Sequence, residues 1–403
     1  MPLWYLFLAL QVFLASFLLQ PLILLSIDIG MKLFAPPPPA VRKTTIRKKY
    51  RFGVVITAYR ETDFLLPIID SLVRQTYPHF QVYIVADDCD TSRLRFEDPR
   101  ITLLSPPVSL NSKNKSIAYA MEHFSDADEV LVIFDPDNLV HPRYLEILNT
   151  WYNRGYLAVQ GNLQAKNTDG PYEKMDSVGV LFNNFIDRDM RARLGLSVNI
   201  WGCGISVSSA IYRKILYDER TRTGGFDKQM QVEIAKNIPR IAYAGDAILY
   251  DEKVDDGHSL ERQRTRWIRA YFKFLGAAFG LLLRGIRRRE GNLIYFGYNL
   301  VRPPYFLLLL LAALFIRIDW TSHPAWSIAW MTTLFLFLVS FIAIVVISAS
   351  GKAVARGIWY MPLLFFHQLR SLFKIRMGRH SFLKTEHSKI LYIDDLLKHA
   401  PHS

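Results

Sequence analysis

The sequence predicts an α/β domain built on a mostly parallel sheet and joined to transmembrane α-helices. Two observations carry this expectation. Short β-branched runs alternate with helical patterns through the middle of the chain, and uncharged runs long enough to cross a bilayer lie toward both ends. The length of 403 residues allows two to three folding units. Lys and Arg number 49 against 36 acids, a net charge of +13. That excess points to nucleic acid, an anionic membrane surface or a phosphorylated substrate. The basic residues concentrate beside the apolar segments and the aromatics lie mainly within them, which argues against nucleic acid. A hydrophobic fraction of 51% excludes disordered and collagen-like classes. Cys89 and Cys203 are too few for a disulfide framework, so two reduced thiols are expected.

The first element is Leu3 to Ile27, 25 residues without a charge. As a helix it spans about 37 Å, enough for a hydrocarbon core of about 30 Å. No basic region precedes it and no small-residue cleavage site follows, so an anchor is expected rather than a cleaved signal peptide. From Lys32 to Arg51 there are seven Lys or Arg and no acid, which places this flank in the cytoplasm.

Strand, helix, strand then follow at Gly53 to Ala58, Phe64 to Gln75 and Gln81 to Ala86, with a helix at Lys113 to Phe124 and a strand at Val130 to Phe134. Toward the C-terminus, Tyr305 to Ile316 is apolar and is extended backwards by Leu293 to Val301 across Arg302, Pro303 and Pro304, a kinked span. The polar link Asp319 to Pro324 leads to Ala325 to Ser350, 26 residues without a charge, and the pair reads as a helical hairpin. The basic segment after it again indicates cytoplasm. The run Arg284, Arg287, Arg288 and Arg289 is expected at the headgroup surface, and Gly357 to Phe366 is interfacial or re-entrant. The expected organisation is an anchor (1–31), a basic linker (32–50), a cytoplasmic domain (51–280), an interfacial helix with a hairpin (281–350) and an interfacial segment with a basic tail (351–403).

In a parallel sheet ligands bind beyond the carboxyl ends of the strands. The residues there are Thr57, Ala58, Tyr59, Arg60 and Glu61, then Asp87 and Asp88, then Asp135, Pro136, Asp137 and Asn138. Asp-x-Asp recurs four times in the chain, at Asp88, Asp126, Asp135 and Asp187. Asp135 and Asp137 directly follow the strand Val130 to Phe134, where two carboxylates on a tight Pro turn suit Mg²⁺ or Mn²⁺ bridging a diphosphate. The plainer reading is a helix cap and turn. No phosphate-cradling Gly-rich loop is present, so a metal would have to replace it. Gln263, Arg266 and Trp267 share one helical face, offering a guanidinium fork and an indole platform. A snorkelling Arg and Trp at the membrane interface is the alternative.

Taken in order, Thr57-Ala58-Tyr59-Arg60-Glu61, Asp87-Asp88, Lys113, Asp135-Pro136-Asp137, Gly202-Cys203-Gly204 and Gln263-Arg264-Thr265-Arg266-Trp267 resemble the family 2 processive membrane glycosyltransferases, which include cellulose, chitin and hyaluronan synthases and ceramide glucosyltransferase. The tail Phe382 to His387 is similar as well. The resemblance covers residues 50–280. It implies a GT-A-like nucleotide-sugar-binding domain using a UDP-sugar donor. Thr57, Ala58, Tyr59, Glu61, Asp87, Asp88, Lys113, Asp135 and Arg266 would bind the donor. Asp135 and Asp137 would hold Mg²⁺ or Mn²⁺, and Gly202, Cys203, Gln263 and Trp267 would line the acceptor. One departure stands out: where the family presents an acidic base, this chain has Gln229. Asp227, two residues earlier, is the candidate catalytic base, with Asp246, Asp251 and Glu252 as weaker ones and a plain helix N-cap as the alternative role. The expected activity is inverting transfer to a growing β-linked polysaccharide; transfer to a membrane lipid and a non-catalytic membrane scaffold are the alternatives. Expected partners are the donor, a polysaccharide or lipid acceptor, the bilayer, and a homo-oligomer or export partner.

Overall fold

A computed structural model describes residues 2–34, 46–216, 226–349, 351–375 and 389–398. The sheet begins with β1 (Phe52–Tyr59), β2 (Phe80–Asp87), β3 (Ile101–Leu104) and β4 (Val130–Phe134). It is completed by β5 (Leu139–Val140), β6 (Ala158–Ala165), β7 (Ile205–Ser208) and β8 (Ala242–Asp251). The strand order is β3-β2-β1-β4-β7-β6-β8-β5, with β7 and β5 antiparallel to their neighbours and every other pairing parallel.

Both faces of the sheet are covered, which is why its central strands are mostly apolar on both sides. Val55, Val85 and Ile133 face one core. Val54, Ile56, Ile84 and Val132 face the other. The second core is closed by α2 (Leu65–Val73) and α4 (Tyr144–Asn153) through Ile68, Leu72, Leu145 and Leu148. The first is closed by α3 (Lys113–Glu122), by α7 (Ser209–Leu216) and by α8 (Phe226–Asn237). Between these, α5 (Pro171–Asn184) runs through a π turn at Phe185–Asp189 into α6 (Met190–Arg193). Gly53 allows a close approach: a Cβ there would sit 2.4 Å from the Phe124 ring.

The chain then leaves the sheet along α9 (Gly257–Arg288), capped by the Asp256 carboxylate accepting from the amides of His258 and Ser259. α10 (Gly291–Val301) folds back on α9, and α11 (Tyr305–Ser322) follows. The kinked single span expected from sequence is therefore two helices. Pro303 and Pro304 lack the amide hydrogens to continue the ladder, and Arg302 takes the extended ψ of 120° that a following proline favours. α12 (Pro324–Ser348) completes the hairpin. The link before it is shorter than expected, because Asp319 lies inside α11, buried. α13 (Lys352–Ala355), a 3₁₀ turn at Arg356–Tyr360, α14 (Met361–Lys374) and α15 (Ile393–Leu397) end the described chain.

Among the described residues, three helices are long and apolar enough to cross a membrane: α1 (Pro2–Phe34), α11 and α12. They pack on one another and on α5 through Phe17, Leu18, Phe182, Phe315 and Phe337. α1 extends beyond the uncharged run to take in Asp28 and Lys32. Phe272, Phe279 and Leu283 of α9, with Trp359, Phe366 and Phe373 beside and on α14, are exposed, an apolar surface suited to the headgroup boundary.

Candidate functional site

The carboxyl ends of β1, β2 and β4 lie side by side, with Tyr59 opposite Asp87 in the ladder. Asp87 is buried. Its two carboxylate oxygens accept from the amides of Leu110 and Asn111, each at 2.8 Å, so this acid fixes the loop that leads to α3. The Tyr59 hydroxyl donates to Asn111 Oδ1 at 2.6 Å, and Arg60 Nε donates to Asp88 Oδ2 at 2.7 Å. Arg60, Asp88 and Asn111 all have positive φ, from 51° to 57°, so three adjoining turns carry strain at one rim.

Lys113, the first residue of α3, joins the next two motifs. Its ammonium donates to Asp135 Oδ1 at 2.5 Å and to the Gly202 carbonyl at 2.7 Å. The Asp135 turn is closed by Asn138, whose side-chain oxygen accepts from the Asp135 amide. Asn138 Nδ2 in turn donates to Asp251 at the end of β8, and Lys253 donates to the other Asp251 oxygen at 2.8 Å. Burial opposes the charge on Lys253, but Asp251 and then Asp176 overcome it and hold the ammonium above its ordinary range. Asp137 is buried beside this group.

The Gly202-Cys203-Gly204 turn is held by Gln160 of β6, whose Nε2 donates to the carbonyls of Cys203 and Gly204. Gly204 has φ of +62°, and a Cβ there would meet Leu249 at 2.6 Å, so only glycine serves. Cys203 packs into the core under the site, which does not match its expected place in an acceptor wall. Burial, reinforced by Asp135 and Asp251, raises its thiol well above the ordinary value, so it stays protonated. Cys89 is also a free thiol.

The Gln263 to Trp267 cluster lies on α9 as the spacing requires. Arg266 and Trp267 are exposed. Arg264 is buried, paired with Asp176 of α5, and stacks on Trp267 at 4.2 Å. Gln263 keeps a buried side-chain oxygen without a hydrogen-bond partner among the described residues. Glu261, one turn earlier, accepts from His367 and Lys374 of α14, clamping the two helices. Asp227 lies in the first turn of α8; its side chain, the glycines before it and the tail Phe382 to His387 fall outside the described residues. Gln229 is buried and donates to Glu233 at 3.1 Å. Of the weaker candidates, Glu252 is committed to Lys166 and the Lys389 amide, while Asp246 is exposed on β8.

Among the described residues no group of three or more His, Cys, Asp or Glu side chains converges as a metal cage. Mg²⁺ needs none, since one or two carboxylates plus substrate phosphate oxygens complete its shell. Asp135 and Asp137 could supply such a donor pair, and Asp135 already holds a cation in Lys113. Lys253, Asn138, Gln160 and the Arg264–Asp176 pair are the residues that motif reasoning left without roles. The strand-end rule reaches Lys253 once β8 is recognised as a parallel partner of β6.

A sheet of this order, with acids and a lysine gathered at its carboxyl edge and an Arg-Trp helix beside them, defines a glycosyltransferase of GT-A-like fold. A family model described as "Glycosyltransferase like family 2" matches residues 50–270, more than half of the chain, and the chain belongs to that family. It is 26% identical over 256 residues to a hyaluronan synthase of Streptococcus pyogenes, an alignment covering 56% of this chain and 58% of that one. The chain thus spans less than two thirds of the length of the curated relative it matches. Among solved structures, the mannosyltransferase PcManGT from Pyrobaculum calidifontis, in complex with GDP-Man and Mn2+, superposes with a TM-score of 0.50 at 17% identity, covering 92% of this chain and 99% of that chain. That likeness is one of fold.

Proposed function

We propose that this chain is a membrane-bound inverting glycosyltransferase that moves a sugar from a UDP-sugar to a growing β-linked polysaccharide. The observation that supports it best is Lys113 bridging Asp135 and Gly202 at the sheet's carboxyl edge, inside a family 2 domain. Thr57, Ala58, Tyr59, Glu61 and Asp88 border the nucleoside, with Asp87 shaping the loop behind them. Asp135 and Asp137 would hold Mg²⁺ or Mn²⁺, which when bound neutralises the departing diphosphate. Lys113 and Arg266 supply positive charge to the same leaving group. Asp227 takes the proton of the acceptor hydroxyl as its oxygen attacks the anomeric carbon, and an α-linked donor gives a β-linked product. Gln263 and Trp267 position the acceptor. Lys32, Arg47, Lys48, Lys49 and Arg51 support a catalytic domain on the cytoplasmic side.

A second reading, a membrane-lipid acceptor, is favoured by one observation. The α1, α11 and α12 bundle fills its own interior with Phe17, Phe315, Trp330 and Ile344, so these three helices form a packed core in place of a polymer channel. The test is release of nucleoside diphosphate by the purified protein over a panel of UDP-sugars and GDP-mannose, with Mg²⁺, Mn²⁺ or EDTA, followed by sizing of the product. Metal-dependent turnover of a UDP-sugar into a long polymer supports the first reading, and a product that partitions with lipid supports the second. Turnover of GDP-mannose alone overturns the UDP assignment. Asp227→Asn should lower transfer to a hydroxyl by about 10²–10⁴-fold with donor binding kept; unchanged transfer to a hydroxyl refutes its role as base.

A further inference from the structure

The buried Arg264–Asp176 pair links the two ends of the proposed site. Arg264 and Trp267 are three residues apart on α9 and share a face, and the guanidinium lies over the Trp267 ring at 4.2 Å. Trp267 is 42% exposed, so burial alone does not fix its ring, and the guanidinium stacked on one face supplies the support. Arg264 is held in turn by Asp176 of α5, with both side chains almost closed to water. Asp176 also faces a second cation. Burial opposes the charge on Lys253, and Asp251 first and Asp176 second outweigh it.

From Lys253 the contacts continue to the donor side. Its ammonium donates to Asp251 Oδ2 at 2.8 Å, and Asn138 Nδ2 donates to the other Asp251 oxygen at 3.1 Å. Asn138 Oδ1 then accepts from the Asp135 amide at 3.0 Å. The Lys253 backbone is pinned separately, its amide donating to Asn167 Oδ1 at 2.7 Å and its carbonyl accepting from Asn167 Nδ2 at 2.9 Å. Along this path the charges alternate through Arg264, Asp176, Lys253 and Asp251. Where water is largely excluded, each such charge depends on the ones beside it. The chain neighbours Met175 and Val254 join Leu260 of α9 and Leu364 of α14 in a small apolar core, and α5 also sends Val178 and Phe182 into the core of the membrane helices. Asp176 therefore rides on a helix fixed from two sides.

We infer that Arg264, Asp176 and Lys253 are positioning residues for sugar transfer: Arg264 sets the Trp267 platform for the acceptor, and Asp176, shared with Lys253, fixes that platform relative to the Asp135 turn. The inference rests on the reading of Trp267 as an acceptor platform and of Asp135 as the diphosphate end. None of the three needs to touch a substrate. They determine how far an acceptor hydroxyl lies from the anomeric carbon, and a misplacement of about 1 Å can cost about 10²-fold in rate. A plain brace between α5 and α9 would need only a positive charge at position 264, which lysine supplies. A platform needs the planar guanidinium, whose edge bonds the carboxylate while its face stacks on the indole. Arg264 makes both contacts at once.

The experiment uses the full chain in detergent, with UDP and Mn²⁺ as the donor-side probe and an oligosaccharide of the transferred sugar as acceptor. Trp267 is read on its own, as the difference in fluorescence between each variant and the same variant carrying Trp267→Phe. Arg264→Lys keeps the charge that Asp176 needs, so its melting point and UDP binding should stay near those of the parent. Its Trp267 emission should shift and its acceptor KM should rise about tenfold, the size of a desolvated cation–π contact. Asp176→Asn should do the same and also weaken UDP with Mn²⁺ about fivefold, because Lys253 loses an acid that balances it. Unchanged Trp267 emission in Arg264→Lys overturns the positioning role whatever the acceptor. Shifted emission with an unchanged acceptor KM marks the pair as a brace and overturns its part in transfer. Asp176→Asn that raises the acceptor KM and leaves UDP binding intact overturns the shared framework, and Arg264 is then a local support of Trp267. Trp267→Ala with an unchanged acceptor KM overturns the platform reading itself, a failure told apart from the others because the emission shift in Arg264→Lys still reports the contact.

Discussion

Lys113 and Asp135 meet at the rim of the sheet with 25% and 34% of their side-chain surface open, whereas Asp187 meets Arg191 and Arg302 with 7%, 0% and 9% open. At the rim, water screens the pair and leaves each partner free to exchange it for a ligand. At the junction with the membrane helices, the charges have lost their hydration and depend on one another. The rim is built for chemistry at small cost to the fold. The junction is built into the fold, and a change there is felt first as stability.

The sharpest way to break this contrast is Asp135→Ala. Removing a carboxylate from the proposed diphosphate end of the site should lower turnover by about 10²–10³-fold, the usual loss for a group that stabilises developing charge. The thermal midpoint should barely move, since a half-open ion pair contributes about 0–1 kcal/mol. Measured kcat beside a melting curve decides it: a large fall in stability with turnover preserved inverts the roles of the two regions.

Asp187→Ala is the mirror experiment. It strands Arg191 and Arg302 without their carboxylate, and breaking a buried pair in this way costs about 3–5 kcal/mol. Chemical or thermal unfolding in detergent measures it. A loss below about 1 kcal/mol would mean that water reaches the junction. The same acid sets a pH dependence. Burial pushes the Asp187 carboxyl up, but Arg302 and Arg191 outweigh it and bring it from 3.8 down to about 2. A depressed carboxyl contributes stability that is full above its unfolded value and is lost as pH falls through the folded one. A term of about 2 kcal/mol should therefore fade between about pH 4 and pH 2, and Asp187→Asn should flatten that part of the curve.

The two regions also differ in how far the amino-acid sequence discloses them. β1, β2 and β4 are continuous β-branched runs because both faces are buried, so they and the acids that follow them can be read directly. β6 and β8 hide. β6 buries Gln160, which serves the Gly202 turn, and β8 carries a register shift opposite Gly161 that breaks its pattern. Asp187-x-Asp189 has the same spelling as Asp135-x-Asp137, yet one lies in a π turn among arginines and the other ends a strand. Only context separates them. Gln20 and Asp28 read as incidental to an anchor, because their partners Asn299, Arg302 and Arg193 lie more than 160 residues away. Pairing over such distances leaves no periodic trace in a single sequence.

The smallest effect tests whether the junction is one network or a set of separate bonds. Gln20 Nε2 donates to Asn299 Oδ1 at 2.7 Å and to the Tyr295 hydroxyl at 2.8 Å, while its oxygen accepts from Arg302 at 3.1 Å. Gln20→Leu keeps the bulk against α10 and removes all three. Polar contacts between membrane helices each contribute about 0.6 kcal/mol, and Asn299 and Tyr295 retain the option of rearranging with one another. The expected loss is about 1 kcal/mol, well under that of Asp187→Ala, and the double variant should be close to additive if Gln20 only braces Arg302. A loss matching Asp187→Ala, with no further loss in the double variant, would mean that Arg302 reaches Asp187 only when α1 holds it. The anchor helix would then be part of what positions Arg302, and shortening α1 would alter the junction as well as its attachment to the membrane.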